Sequence, residues 1–259
     1  VMRHREPYQC LAVSHNHGAA LTKNPDPLIS HVPPGYTGHF RDPDVTERDG
    51  GWMMLLGAQR ENGTGTIVRY DSDDRRTWRF AGEIEFSAPD LAEIGYMCEC
   101  PILLTLTDEA SATPYDVLVF CPQGVPSDGE RFLNVDNLVY VVGHLTGTRF
   151  ECVGPVRELD RGFEVYAPQA FSNVEDRTVL MLWLGNPRQD DQPSLENGWV
   201  HALSLPREVR LRDGVLTQSP VRELEERVPV TRIEMEQADG IVATLTPESP
   251  HVRIVARID

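Results

Sequence analysis

Three short segments of this chain place a proline at the same point of a similar frame, and each frame leads into a strand-like run. The frames are His39-Phe40-Arg41-Asp42-Pro43, Met97-Cys98-Glu99-Cys100-Pro101 and Val165-Tyr166-Ala167-Pro168-Gln169. Their prolines lie 58 and 67 residues apart, so each unit has room for four short strands. The spacing therefore predicts a series of similar β-sheets in which each frame opens one sheet.

Short β-rich runs bounded by turn residues dominate the rest of the sequence. Four of them are residues 52–57, 116–120, 138–143 and 178–183. Asp49-Gly50 and Asp213-Gly214 are typical of tight hairpin turns. No stretch longer than about ten residues keeps a helical period. These signals predict an all-β fold made of propeller-like units.

The composition narrows the range of partners. The 259 residues include 40 acidic and 24 basic side chains, which give a formal charge of -16. Such a field repels phosphate backbones, so we expect no nucleic-acid partner. No apolar run approaches the roughly 20 residues needed to cross a bilayer, so we expect no membrane association.

Cysteine usage points to a reducing compartment. The five cysteines are odd in number and irregularly spaced, which predicts free thiols and a cytoplasmic location. The two cysteines of Cys98-Glu99-Cys100 are too close for a usual zinc knuckle, and no second Cys or His pair follows them. We therefore expect no metal at this pair, and the sequence implies neither a metal nor a cofactor elsewhere.

The character of the sequence changes after Leu205-Pro206-Arg207-Glu208, where charged residues begin to alternate with aliphatic ones. Two β-like runs, at 241–245 and 252–255, follow near the end. The pattern predicts a first domain over residues 1–207 and a linker with the beginning of a β-sandwich over 208–259. About 50 residues are too few to complete a typical sandwich.

Asp42 and Glu99 are the candidate catalytic residues, because glycosidic hydrolysis needs carboxylates that converge on one sugar. An Asp before a proline is more often a turn or strand-entry residue, and a Glu among apolar neighbours is often structural. Glu99 lies between Cys98 and Cys100. An apolar setting favours the protonated carboxyl group that a general acid needs.

The motifs resemble those of glycoside hydrolase family 32, the group of invertases, inulinases and sucrose-6-phosphate hydrolases. Further segments fit in the same order: residues 9–14 resemble the family's Gln-x-x-Ala-x-Ser strand, 24–29 its Asn-Pro-Val-Ile loop, and 205–208 its Leu-Pro-Arg-Glu segment. The resemblance covers residues 8 to about 225. It implies a five-bladed β-propeller, incomplete in this chain, followed by the start of a C-terminal β-sandwich.

The resemblance also implies roles for the residues of the first two frames. By analogy with the family's Arg-Asp-Pro motif, Asp42 is the transition-state stabiliser and Arg41 a substrate contact. By analogy with its Glu-Cys-Pro motif, Glu99 is the acid/base, and Cys100 adjoins the sugar without acting as a nucleophile.

Two aromatic residues are implied as pocket residues. Tyr166 matches a Tyr-Ala motif of the family and occupies the part of its frame where the other frames carry acids. Trp183 matches the Trp of a following Gly-Trp-like strand, although Leu182 replaces the small residue. The structural alternative for both is that they simply belong to the core.

One family motif does not occur in the sequence. The family's nucleophile is an Asp in a Trp-Met-Asn-Asp-Pro-Asn-Gly segment, and the nearest string, Asn24-Pro25-Asp26-Pro27, already fits the later loop. We therefore expect that the N-terminal blade is missing and that residues 8–14 form an outer strand of a truncated unit. The chain alone is then expected to be inactive on sucrose and to associate through open sheet edges.

The function implied is that of a retaining glycoside hydrolase acting on β-fructofuranosides: sucrose, sucrose 6-phosphate or short fructans. The partner is a small carbohydrate, and the oligomeric state stays open. The alternatives are another propeller glycosidase, such as an arabinosidase or a fructosyltransferase, and a non-catalytic sugar-binding fragment. We expect Asp42, Glu99 and Tyr166 to open into one axial pocket, with the two carboxyl groups about 5 to 8 Å apart.

Overall fold

Strands form almost all of the regular structure. The computed structural model describes residues 5–91, 94–171, 174, 176–186, 188 and 191–225. In chain order the strands are β1 (Ala12–Val13), β2 (Thr22–Lys23), β3 (Tyr36–Arg48), β4 (Gly51–Arg60), β5 (Gly65–Ser72), β6 (Arg79–Glu83), β7 (Glu85–Phe86), β8 (Met97–Thr107), β9 (Pro114–Gln123), β10 (Val139–Thr146), β11 (Arg149–Cys152), β12 (Arg157–Glu158), β13 (Val165–Ala170), β14 (Thr178–Leu184), β15 (Ala202–Leu203), β16 (Arg207–Arg212) and β17 (Val215–Pro220). Two 3-10 helices, at Pro89–Leu91 and Pro193–Asn197, and the four-residue helix α1 (Arg222–Glu225) complete it. The predicted all-β class is confirmed.

Three sheets repeat one plan, a four-stranded antiparallel meander. Sheet A has the order β3-β4-β5-β6, sheet B contains β8-β9-β10-β11, and sheet C contains β13-β14-β16-β17. The short strand β7 joins the outer edge of sheet B in parallel with β11, while β12 and β15 pair with β10 and β14. The first strand of each sheet carries one proline frame, so the predicted repeat is confirmed for these three units.

The hairpin turns follow from residues that tolerate a positive φ. Asp49 and Gly50 have φ values of 55° and 79° between β3 and β4, and Asp213 and Gly214 have 51° and 70° between β16 and β17. Two successive positive φ values define the two-residue turn that matches the twist of antiparallel strands. Both predicted turns are therefore confirmed.

Apolar layers between the sheets form the core. One layer packs Met53 and Leu55 of sheet A against Leu118 and Phe120 of sheet B. A second layer joins the other face of sheet B to sheet C. Because sheet B is covered on both faces, its central strands are continuous apolar runs rather than alternating ones.

Sheet A approaches the first strand of sheet B backbone to backbone. A Cβ atom on Gly57 would lie 2.0 Å from the carbonyl oxygen of Cys98, and one on Gly65 would lie 2.8 Å from the amide nitrogen of Met97. Both positions therefore require glycine for steric reasons. The contact lies directly beside Glu99, so it sets how closely the first frame approaches the second.

The hairpin β16–β17 lies beyond the domain boundary that the sequence predicts at residue 207. It completes sheet C, with Val209 and Leu211 buried in the layer against sheet B. The compact unit ends at Arg222. The alternation of charged and aliphatic residues that suggested a linker is the period of a half-buried strand. The strand-like runs at 241–245 and 252–255, and with them the predicted sandwich, lie outside the described residues.

No helix among the described residues is long and apolar enough to span a membrane.

Replacing Gly57 with alanine tests the close contact between sheets A and B. The added methyl group would collide with backbone, which cannot move as a flexible side chain does, so we expect a loss of about 3 kcal/mol in the free energy of unfolding, the upper end of the usual range for overpacking. Gly154→Ala is the matched control, because a Cβ there meets nothing within 4 Å. Urea unfolding of both variants measures the difference. Equal stability of the two variants would contradict the contact.

Candidate functional site

The first strand of each sheet carries a bulge at its proline frame. The pairing register shifts between Arg41 and Asp44 in β3, between Glu99 and Ile102 in β8, and between Tyr166 and Gln169 in β13. The residue before each proline has a positive φ: 62° at Asp42, 47° at Cys100 and 48° at Ala167. Non-glycine residues in this region cost about 1–3 kcal/mol each and cluster at functional sites. The frames thus share a strained bulge.

The residues two positions before the three prolines meet. The Nε of Arg41 donates to Oε1 of Glu99 at 2.8 Å, and Nη2 donates to the same oxygen at 2.5 Å. The hydroxyl group of Tyr166 donates to Oε2 of Glu99 at 2.7 Å. The carboxylate of Glu99 on sheet B therefore binds one residue from sheet A and one from sheet C, and both of its oxygens accept hydrogen bonds.

The second carboxylate, that of Asp42, lies beside the first. Its Oδ2 accepts the backbone N–H of Cys100 at 3.2 Å and lies 3.9 Å from Nε of Arg41. Burial raises the pKa of Asp42, and the charge of Glu99 adds to the shift, while the Cys100 N–H and Arg41 oppose it. Arg41 is thus in contact with both candidate catalytic carboxylates.

The surroundings of Glu99 differ from the apolar setting that the sequence predicts. Its neighbours Met97 and Cys98 are buried, and Cys98 packs into the layer between sheets A and B. The groups that reach the carboxylate, on Arg41 and Tyr166, are 58 and 67 residues away along the chain. The prediction was wrong on this point because successive side chains of a strand face opposite sides of the sheet.

Tyr166 and Cys100 both remain in their neutral forms. Burial, followed by the nearby Cys121 and Glu99, raises the pKa of Tyr166 far above its usual value. The phenol therefore keeps the proton that it donates to Glu99. Burial and the two carboxylates likewise raise the pKa of the Cys100 thiol. A protonated thiol is a poor nucleophile, and Cys100 instead donates both its backbone N–H and, at 3.7 Å, its S–H to Oδ2 of Asp42.

Trp183 lies one step further from the carboxylates. Its ring centroid is 6.5 Å from that of Tyr166 in an edge-to-face arrangement. The ring centroid of His201 lies 4.6 Å from that of Trp183. Trp183 also packs partly against the layer between sheets B and C, whereas Leu182 is fully buried. The structure thus gives Trp183 a contact with Tyr166.

A polar cluster that no sequence motif indicates lies within electrostatic range of Glu99. Nη2 of Arg188 donates to Oδ1 of Asp136 and to the hydroxyl group of Tyr96, both at 3.1 Å. Burial raises the pKa of Asp136, Arg188 opposes the shift, and the charge of Glu99 adds to it. Asp136 therefore lies within the electrostatic range of Glu99. Its only sequence signal is an acid just ahead of the apolar run at 138–143.

The chain belongs to glycosyl hydrolase family 32. The model of the family's N-terminal domain matches residues 1–220, which include all three frames and the complete sheet C. The resemblance drawn from the motifs is therefore confirmed.

Two curated relatives carry the name sucrose-6-phosphate hydrolase. The relative from Bacillus subtilis is 38% identical over 255 residues, which are 96% of this chain and 51% of the relative. The relative from Klebsiella pneumoniae is 40% identical over 225 residues, which are 85% of this chain and 46% of the relative. The chain thus spans about half the length of these relatives.

Solved structures of the same family share the fold. A sucrose-6-phosphate hydrolase from Lactobacillus gasseri superposes with a TM-score of 0.75 and 32% identity, covering 85% of this chain and 44% of that one. A variant of a Bombyx mori GH32 beta-fructofuranosidase in complex with sucrose gives a TM-score of 0.72 and 29% identity, covering 84% of this chain and 44% of that one.

The raised pKa of Asp42 makes a prediction about stability. A folded-state pKa above the ordinary value means that ionising Asp42 costs stability at every pH above that folded-state pKa. Asp42→Asn is therefore expected to unfold at a higher urea concentration than the wild type at pH 7. The gain should shrink as the pH falls through the raised folded-state pKa and should be lost below 3.8, the ordinary value.

Asp73→Asn is the control for this comparison, because Asp73 is an exposed partner of Arg79 and surface pairs contribute little. Urea unfolding at pH 7 and pH 3.5 measures both variants. A gain for Asp42→Asn that does not depend on pH would assign the effect to backbone preference at a positive φ rather than to the charge.

Proposed function

We propose that the full-length protein is a retaining glycoside hydrolase that cleaves β-fructofuranosides, namely sucrose, sucrose 6-phosphate or short fructans. The observation that carries the proposal is the convergence of Arg41, Glu99 and Tyr166, with the carboxylate of Asp42 beside them. Membership of family 32 and the names of the relatives support the substrate class. The sheets A, B and C are proposed to be three blades of a five-bladed propeller that extends through residue 220 and is followed by the start of a β-sandwich module.

The reaction needs two displacements at the anomeric carbon of the fructosyl group. In the first, a carboxylate nucleophile bonds to that carbon, the glycosidic C–O bond breaks, and Glu99 gives its proton to the leaving oxygen. In the second, Glu99 takes a proton from water, the water oxygen bonds to the anomeric carbon, and the nucleophile leaves. Two inversions retain the configuration and restore both carboxyl groups.

Asp42 is proposed to stabilise the transition state. A carboxylate that bonds two hydroxyl groups of the fructosyl ring helps catalysis to the degree that these bonds tighten as positive charge develops on the ring. The strained bulge and the N–H of Cys100 hold this carboxylate in place before the substrate arrives. Such preorganisation means that no reorientation is needed in the transition state.

Arg41 and Tyr166 are proposed to set the position of Glu99. The guanidinium fixes Oε1 and the phenol fixes Oε2, which restricts the rotation of the carboxyl group. Proton transfer requires the acid within hydrogen-bond reach of the leaving oxygen, so this restriction is part of the chemistry. Cys100 and Trp183 complete the proposed substrate-binding residues, Cys100 beside the sugar and Trp183 against Tyr166.

The nucleophile motif does not occur in the 259 residues. We propose that a carboxylate outside these residues completes the site. The 259 residues by themselves are then proposed to form a sugar-binding module without turnover, which is the second candidate function. Because its five cysteines are free thiols, we propose that the protein works in the cytoplasm.

Glu99→Gln tests the role of the acid/base in the full-length protein. Losing general acid–base catalysis is expected to lower kcat for sucrose by about 10²- to 10⁴-fold. The loss should be smaller for an aryl β-fructofuranoside with a good leaving group, because its oxygen needs less protonation. Glu130→Gln, an exposed loop glutamate, is the control. The same loss for both leaving groups would make Glu99 a structural residue.

A further inference from the structure

His39 lies on β3, two residues before Arg41, and contacts its guanidinium. Nη1 of Arg41 is 3.0 Å from Nδ1 of His39. Nη1 of Arg5, from the segment before β1, is 3.5 Å from the same ring nitrogen. The proposed mechanism makes no use of this histidine, although its ring contacts the guanidinium that binds Glu99.

The contact fixes the protonation state of the ring. A guanidinium carries only donors and keeps its charge in proteins. The Nδ1 atom must therefore be the acceptor, so it holds a lone pair and not a proton. The imidazole of His39 is thus neutral, with its proton on Nε2.

The three donor nitrogens of Arg41 are divided between two partners. Nε and Nη2 donate to Oε1 of Glu99, and Nη1 donates to His39. A planar guanidinium held on two sides cannot rotate without breaking one set of bonds. His39 therefore determines the orientation from which Arg41 binds the carboxylate.

We propose that His39 is a positioning residue whose neutral ring holds Arg41 against Glu99, and that protonation of His39 releases Arg41 and weakens the acid–base step. This inference rests on the proposed function. Protonation would remove the only lone pair on Nδ1 and place a third cation between the guanidinium groups of Arg5 and Arg41. Losing the acceptor and adding a positive charge both destabilise the contact between His39 and Arg41, so the guanidinium of Arg41 is expected to move away from the ring.

The electrostatics agree with this geometry. Burial lowers the pKa of His39, the charges of Arg5 and Arg41 lower it further, and the charge of Glu99 opposes them. Among residues 5–225 as far as the structure describes them, these charged groups act on the ring, from the N-terminal segment, from β3 and from β8. The neutral form therefore persists below pH 6.5, the ordinary value for histidine, and the release of Arg41 belongs to the acid side of the pH profile.

Two substitutions separate the acceptor from the bulk of the ring. His39→Asn places an amide oxygen near the position of Nδ1 and cannot take up a proton. His39→Phe keeps a ring of similar size without an acceptor. In the full-length protein, His39→Phe is expected to lower kcat for sucrose by about 10- to 100-fold, the cost of a misplaced catalytic group. His39→Asn should stay close to the wild type at pH 7 and keep its kcat/KM at lower pH than the wild type.

Two kinetic results would overturn the inference. One is an equal loss for His39→Asn and His39→Phe, which would mean that the ring matters only for packing. The other is an acid limb of kcat/KM that is the same in the wild type and in His39→Asn. If His39→Phe does not fold, as judged by its thermal unfolding, the comparison of His39→Asn with the wild type still decides.

A measurement without turnover separates this inference from the proposed function. Nitrogen-15 NMR of the labelled full-length protein should show the neutral His39 ring with its proton on Nε2 and should give a titration midpoint for that ring below pH 6.5. A proton on Nδ1, or a midpoint at or above 6.5, would contradict the contact with Arg41. If the wild type hydrolyses no β-fructofuranoside, the proposed function fails, while the NMR result continues to test the positioning of Arg41.

Discussion

The sharing of one carboxylate among three sheets is the interaction on which the site depends. Glu99 of sheet B accepts from Arg41 of sheet A and Tyr166 of sheet C, and its side chain is only 15% exposed. A carboxylate at this depth is costly unless donors from the protein replace its lost hydration. Because the donors come from the neighbouring sheets, satisfying Glu99 also fixes where the first strands of the three sheets stand.

The strained bulges have a physical role in this arrangement. A bulge redirects a side chain and ends regular pairing, and here it occurs at the same position in β3, β8 and β13. At Cys100 it turns a backbone N–H toward Asp42, and the glycine contact at Gly57 brings sheet A close enough for that bond. Strain at the bulges and the burial of a carboxylate both lower stability, whereas the close contact at Gly57 is favourable packing. Together these features preorganise two carboxylates.

The sequence predicts the repeated four-stranded units but not which residues of the three frames occupy equivalent positions in space. Strand runs, turn residues and proline spacing are local signals, so the four-stranded units and the frame at the start of each could be predicted. Arg41, Glu99 and Tyr166 each lie two residues before the proline of their frame, and these are the residues that meet. The sequence instead suggests comparing the two acids, but Asp42 lies only one residue before its proline, so this match could not be predicted. Only the register of the bulges makes the match visible.

Other features depend on contacts that sequence distance conceals. Asp136 and Arg188 are 52 residues apart, and neither stands in a motif. His39 belongs to a quoted frame, yet its role depends on the donor geometry of Arg41. The hairpin at 207–220 was missed because its charged residues alternate with aliphatic ones, and only packing against sheet B distinguishes such a strand from a linker.

A crystal structure of full-length Glu99→Gln with sucrose tests the central claim most directly. We expect the fructosyl ring to lie between Asp42 and residue 99, with the oxygens of Asp42 bonded to two ring hydroxyl groups. We also expect the amide of residue 99 to lie about 3 Å from the glycosidic oxygen. A sugar bound elsewhere, or a fructosyl ring that makes no contact with Asp42, would contradict the account.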